Sequence, residues 1–130
     1  CLVDLSFQIG KGGIVGLVGP SGAGKSLTAR AIAGILPKSL QVDLQVDRLK
    51  VGYVFQDPLT ALNPLLTVGV QITEVTQDLK KTKELLRWLG FDEVDKVLQQ
   101  VPYQLSGGMR QRVVIAIGLA SNPNLLICEE

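Results

Sequence analysis

The sequence predicts an α/β protein, a parallel-sheet core carrying a helical insert, and three observations point there. A short apolar run at residues 14–18 leads straight into a glycine-rich stretch at 19–24, the pattern of a buried strand feeding a turn. From Thr67 the apolar spacing becomes helical, with Leu79, Leu85, Leu86 and Leu89 on one face,. Near the end, the apolar stretch 113–120 is followed by a second apolar run at 125–128, which reads as a buried helix and a last strand. Strand, loop, helix, strands, helical insert, helix and strand, in that order, argue for a parallel core with a separate helical subdomain.

The elements follow one by one. Residues 2–9 alternate strictly, Val3, Leu5, Phe7 and Ile9 apolar against Asp4, Ser6 and Gln8, the period of a half-buried strand. Gly10, Lys11, Gly12 and Gly13 end it in a turn,. A helix is expected from Lys25 to about Leu36, stopped by Pro37,. Residues 42–46 alternate again, 51–55 read as another buried strand, and Asp57-Pro58 and Asn63-Pro64 mark an irregular stretch,. Thr67 is the expected N-cap of the helical region, which Gly90 closes; Asp92 is the expected cap of a short helix broken by Pro102,. Ser106 is the expected N-cap of the last helix, apolar all round at 113–120 and so predicted to be buried,.

Composition bounds the function. With 130 residues, 46% apolar and 19% charged, the chain suits one folded domain with a real core. Thirteen Lys and Arg balance twelve Asp and Glu, and no basic block is present, so no nucleic-acid partner is expected. The run 113–120 is far short of the roughly 20 residues a membrane-spanning helix needs, so any membrane-spanning part is expected on another chain. Cys1 and Cys128 are the two cysteines and histidine is absent, which excludes the usual Cys/His zinc sites and histidine-based catalysis; both thiols are expected to be free. The chain starts with cysteine and no signal segment follows, so it is expected to begin within a longer protein. A mature lipoprotein also starts with cysteine, but residues 2–9 read as core strand rather than tether.

Gly19, Pro20, Ser21, Gly22, Ala23, Gly24, Lys25 and Ser26 match G-x-x-x-x-G-K-[ST] between a predicted strand and a predicted helix, the context that gives this motif its meaning. Glycines let backbone N–H groups turn toward an anion, and the helix N-terminus adds partial positive charge. Lys25 can reach the β- and γ-phosphates of a nucleotide, and the Ser26 hydroxyl can ligate Mg²⁺. A glycine-rich turn that binds nothing is the plain alternative. No G-x-G-x-x-G occurs, so a dinucleotide fold is a poor rival.

A second bare-backbone anion site follows at Leu105, Ser106, Gly107, Gly108, Met109, Arg110, Gln111 and Arg112,. A single phosphate loop cannot use both on one phosphate, so this site is expected to face another nucleotide. An ordinary capped helix would leave two glycines in a first turn unexplained, since both weaken it.

On these residues the chain resembles the ABC ATPases, whose signature reads LSGGQ or LSGG-x-x-QR. The resemblance implies a P-loop NTPase fold, RecA-like, with a helical ABC subdomain, incomplete at both ends: core at 1–56 and 107–130, helical subdomain with Q-loop at 57–106. It implies ATP and Mg²⁺ as ligands. It also implies that two nucleotide-binding domains dimerise head to tail, so that Ser106, Gly107 and Gly108 act on the nucleotide held by the partner. Gln56 stands where the family places the Q-loop glutamine, which senses Mg²⁺ and attacking water. The run Gln56-Asp57-Pro58-Leu59-Thr60-Ala61-Leu62-Asn63-Pro64, with Thr67-Val68 beyond it, is similar to the Q-loop of the peptide and nickel importer branch. Residues 101–112 are similar to that branch's signature region, and Ile35-Leu36-Pro37 fits it as well. Transmembrane permease subunits are the implied partners, and the cytoplasmic face of the cell membrane the implied place.

Glu130 takes the position of the family's catalytic glutamate, and Glu129 that of the aspartate that holds Mg²⁺ through water. The extra methylene of Glu129 moves its carboxylate by on the order of 1.5 Å, and Mg²⁺ demands near-ideal octahedral placement. The family's D-loop and switch histidine are expected beyond Glu130, its adenine-stacking aromatic residue before Cys1. Between Lys25 and Gln56 the chain is shorter than the family usually is, with residues 41–47 as a remnant of trimmed strands. Three readings stay open: an importer ATPase, a soluble ABC ATPase of DNA repair or translation, and a fragment that binds ATP without turnover.

Overall fold

The computed structural model describes residues 5–37, 39–40, 43 and 49–129. The chain divides into two units, one up to Gln45 and one from Val46.

In the first unit Gly10–Gly13 forms the expected turn, Gly13 N–H donating to Gly10 O at 2.8 Å. Helix α1 runs Lys25–Ala33, three residues short of the expected Leu36. Gly34 ends it in the left-handed region (φ 71°), its N–H bonding Ala31 O while the Ile35 N–H bonds Arg30 O. The glycine stops the helix before Pro37 can.

Among the described residues two expected strands are not formed. Residues 5–9 and 14–18 carry no ladder, and Ile14 is 98% and Val18 93% exposed. Alternation and apolar runs mark strands only where a neighbouring strand offers hydrogen-bonding partners. Among the described residues the one ladder is β1–β2, in the second unit. Residues 2–4, and all of 42–46 except Asp43, lie outside the described residues.

The second unit is built around its last helix. Strands β1 (Val51–Val54) and β2 (Leu125–Cys128) pair in parallel, Val51 opposite Leu125 and Val54 opposite Cys128. Between them run α2 (Pro58–Ala61), α3 (Val68–Thr76), α4 (Leu79–Trp88), α5 (Val94–Gln99), a 3-10 turn (Pro102–Gln104) and α6 (Gly107–Ala120). Thr67 and Ser106 are N-caps as expected: the Thr67 hydroxyl accepts from Val70 N, and the Ser106 hydroxyl from Met109 N.

The helical region from Thr67 is two helices, not one. Gln77 turns left-handed (φ 57°), and Asp78 caps α4 by accepting from Lys80 N and Lys81 N. The fully buried Thr82 hydroxyl binds Thr73, Thr76 and the Asp78 carbonyl at this corner. The α5 cap is Glu93, not Asp92, and uses no side-chain bond.

The core gathers Val68 and Ile72 of α3, Leu86 of α4, Val94, Val97 and Leu98 of α5, and Val113, Val114 and Ala116 of α6. Each fully buried aliphatic side chain here contributes about 1.5–3 kcal/mol. Helix α6 is not buried all round as predicted. Val113, Val114, Ala116 and Gly118 are covered, while Ile115, Ile117 and Leu119 remain half-buried.

Candidate functional site

The glycine-rich turn of the first unit opens onto α1. Gly22 and Gly24 have φ of 81° and 89°, a region that costs a side-chain-bearing residue roughly 1–2 kcal/mol. Gly24 is the N-cap of α1 and supplies no side-chain acceptor, and the first intrahelical bond is Thr28 N to Gly24 O. The first amides of the helix therefore meet no capping oxygen, the arrangement that suits an anion. Lys25 folds back across the turn, its ammonium donating to Gly19 O at 2.7 Å and Pro20 O at 2.8 Å. A flexible cation lies over the mouth of a bare-backbone turn. Ser26 follows as the second residue of α1 and is exposed.

In the second unit, parallel pairing sends β1 and β2 to the same edge of the sheet. Gln56 follows β1 within a bend and is exposed; Glu129 follows β2, half-buried, with its N–H bonded to Val54 O at 3.0 Å. One amide and one carboxylate thus leave adjacent strands at their carboxyl ends, where open parallel sheets bind ligands. Beyond Gln56, the Asp57 carboxylate caps α2 through Leu59 N. Glu130 lies outside the described residues.

At the start of α6, Ser106, Gly107 and Gly108 are exposed. A β-carbon on either glycine would meet nothing within 4 Å. No packing against the described residues requires glycine there, although two glycines weaken a first turn; the bare backbone faces outward.

Sequence reasoning missed three supporting residues. Arg110 Nε donates to Pro102 O at 2.8 Å and its terminal nitrogen to Tyr103 O at 3.5 Å. Arg112 donates to Gly90 O at 2.7 Å and lies over the Phe91 ring, 4.4 Å from its centre. The side chain of Gln71, 8% exposed, accepts from Asn63 N and donates to Asn63 O and Leu66 O, pinning the loop after α2. Both arginines stand inside the motif and so were visible in the sequence. No pattern announces that their targets are backbone carbonyls. Among the described residues no cluster of three or more acidic, cysteine or histidine residues could cage a metal alone, and no helix is long and apolar enough to cross a membrane.

The ABC transporter family matches residues 2–130. The oligopeptide transport ATP-binding protein AppD of Bacillus subtilis is 41% identical over 155 residues, covering 97% of this chain and 47% of the relative. OppD of the same species is 40% identical, with 97% and 43% covered, and OppD of Mycobacterium tuberculosis 38% identical, with 97% and 25% covered. The chain thus spans less than half the length of these relatives. The aligned stretches also exceed the 130 residues present here, so each relative carries residues this chain lacks inside the matched region.

Among solved structures, an inward-facing ABC transporter assigned to the metal-chelate type superposes with a TM-score of 0.75 at 24% identity, covering 97% of this chain and 53% of that one. A dimeric post-hydrolysis structure of the ATP-binding cassette MJ0796 with ADP and phosphate gives 0.69 at 30% identity, covering 94% and 62%. On the match over residues 2–130 and the identity to these relatives, the chain belongs to the ABC transporter family and has its P-loop ATPase fold.

Proposed function

We propose that this chain is the nucleotide-binding part of an ATPase that powers import of oligopeptides across a membrane. The observation that carries the reading is the pair of bare helix starts, Gly24 before α1 and Gly107-Gly108 in α6, each presenting backbone without a side chain in the way. Gly19, Pro20, Ser21, Gly22, Ala23, Gly24, Lys25 and Ser26 hold the triphosphate. Lys25 exchanges its carbonyl partners for phosphate oxygens. Ser106, Gly107 and Gly108 close over a nucleotide held by a second nucleotide-binding domain, consistent with the open space beside both glycines. The dimeric MJ0796 cassette with ADP and phosphate supports that arrangement.

Mg²⁺ fits the donor set. Without a protein cage, the ion would be carried mostly by the phosphates, and Ser26, Gln56 and Glu129 are the residues whose oxygens would help to hold it. When bound it would neutralise charge on the transferring phosphoryl group. Glu130 polarises the attacking water, and Gln56 orients it from the neighbouring strand.

Oligopeptides are favoured over nickel as cargo because AppD and OppD are oligopeptide transport proteins. Permease subunits dock near Gln56 and supply the membrane span, which places the chain on the cytoplasmic face. The core is assigned to 1–56 and 107–130, and the helical subdomain to 57–106.

The test is ATP titration of the 130-residue chain and steady-state hydrolysis by the complete protein with its partners. Lys25→Ala is expected to abolish binding. Ser106→Arg is expected to block turnover and spare binding. Unchanged binding in the first variant, or unchanged turnover in the second, would remove the corresponding site from the proposal.

A further inference from the structure

The residues that aim the exposed start of α6 are not part of it. Ser106 is reached through the 3-10 turn Pro102–Gln104, and that turn is held at both ends. Gln104 Oε1 accepts from Val101 N at 2.9 Å. Arg110, the fourth residue of α6, sends its side chain back toward the helix N-terminus, the direction helical side chains take. There Nε donates to Pro102 O at 2.8 Å, and the guanidinium reaches Tyr103 O at 3.5 Å. Leu105 is buried between these contacts and Ser106, 3% exposed. A cation this close to a helix N-terminus opposes the macrodipole, so stabilising its own helix does not account for Arg110.

We propose that Arg110 is a positioning residue for the signature turn: by holding the Pro102 carbonyl, it fixes the direction in which Ser106 and the Gly107 and Gly108 amides meet a nucleotide. This rests on the reading that these residues act on a nucleotide held by a partner domain. Misplacement of about 1 Å at such a contact is enough to cost on the order of 10²-fold in rate. Because the triphosphate is first held by the phosphate loop, the loss falls on turnover rather than on capture.

Two variants separate geometry from charge. In Arg110→Gln the amide nitrogen stands at the same distance along the side chain as Nε, so the donor to Pro102 O is kept and the charge is lost. In Arg110→Lys the charge is kept and a methylene takes the place of Nε. Steady-state ATP hydrolysis by the complete protein with its partners, with melting temperature alongside, reads the difference, and Ser106→Arg is the control for the underlying reading.

The expected result is a kcat in Arg110→Lys lower by about tenfold or more. Its KM for ATP should lie within about twofold of the unsubstituted protein, its melting temperature should be unchanged, and Arg110→Gln should be near normal. Arg110→Lys as active as Arg110→Gln or more so, or the two variants equally impaired, overturns the proposal. So does a loss that tracks melting temperature or appears in KM instead of kcat. If Ser106→Arg retains turnover, it is the trans-acting signature that fails; if Ser106→Arg is inactive and both Arg110 variants are normal, only the role of Arg110 fails.

Discussion

A β-carbon placed on Gly52 would stand 2.1 Å from the carbonyl oxygen of Gly118, so β1 and α6 meet where Gly52 has no room for a side chain and Gly118 has little. The approach brings Val54 and Val113 into one core and seats the strand that leads to Gln56 directly on the signature helix. Gly52→Ala is therefore expected to destabilise the chain by about 2–3 kcal/mol through overpacking. Gly118→Ala should cost less: its nearest atom, Val54 Cγ2, is at 3.0 Å, and alanine regains up to about 1 kcal/mol of helix propensity. Urea denaturation of the two variants checks the order.

Gly24→Ala strains the turn at a residue with φ of 89°. The expected loss in ATP affinity is about tenfold, equivalent to the roughly 1–2 kcal/mol that the left-handed region costs alanine. A fluorescence titration with a nucleotide analogue measures it, and an unchanged affinity would mean that the turn relaxes without its left-handed residue.

The Lys83 ammonium lies 2.7 Å from the Asp95 carboxylate and ties α4 to α5. This hydrogen bond and the lysine's charge hold the Asp95 carboxyl below its ordinary value of 3.8. A depressed folded-state pKa contributes stability that is complete above 3.8 and is lost as pH falls from there through the folded value,. Asp95→Asn should thus melt slightly lower than the parent chain at neutral pH, with the gap closing in acid. Because the pair is on the surface, added salt should narrow the gap too.

Glu129→Asp shortens the side chain that follows β2. If Glu129 holds Mg²⁺ as proposed, the variant is expected to need on the order of tenfold less Mg²⁺ for half-maximal hydrolysis in the complete protein, the scale on which a ligand's outer partners act. A Mg²⁺ titration at saturating ATP is the measurement. An unchanged midpoint would show that the longer carboxylate already meets the need.

The local signals that proved legible are chemical ones. Thr67 and Ser106 cap helices because a hydroxyl in that place satisfies a free amide,, and Leu125–Cys128 is a strand with β1 beside it to pair with. What the pattern could not carry is partnership. Residues 14–18 have the composition of a buried strand, but composition does not supply a neighbour, and Ile14 is left exposed. The division between α3 and α4 was equally hidden, since Gln77 turns left-handed with no glycine to announce it. For the candidate site, the glycine-rich turn before α1 and the glycine-led start of α6 could be read from spacing. Arg110, Arg112 and Gln71 could not, because their targets are backbone carbonyls and amides that only the fold brings near.

The parallel register Val54 opposite Cys128 separates two jobs carried by one continuous chain. Gln56 and Glu129 take their spacing from ladder hydrogen bonds, while everything between them is an excursion that departs from one strand and returns to the next. Helices in that excursion can lengthen, shorten or change their exposed faces without moving the two side chains apart. A slip of a single residue in the ladder, by contrast, would displace one relative to the other by about 3.3 Å and turn the slipped strand's side chain to the opposite face. The arrangement makes the strand edge a fixed standard and the helical stretch the part free to diversify.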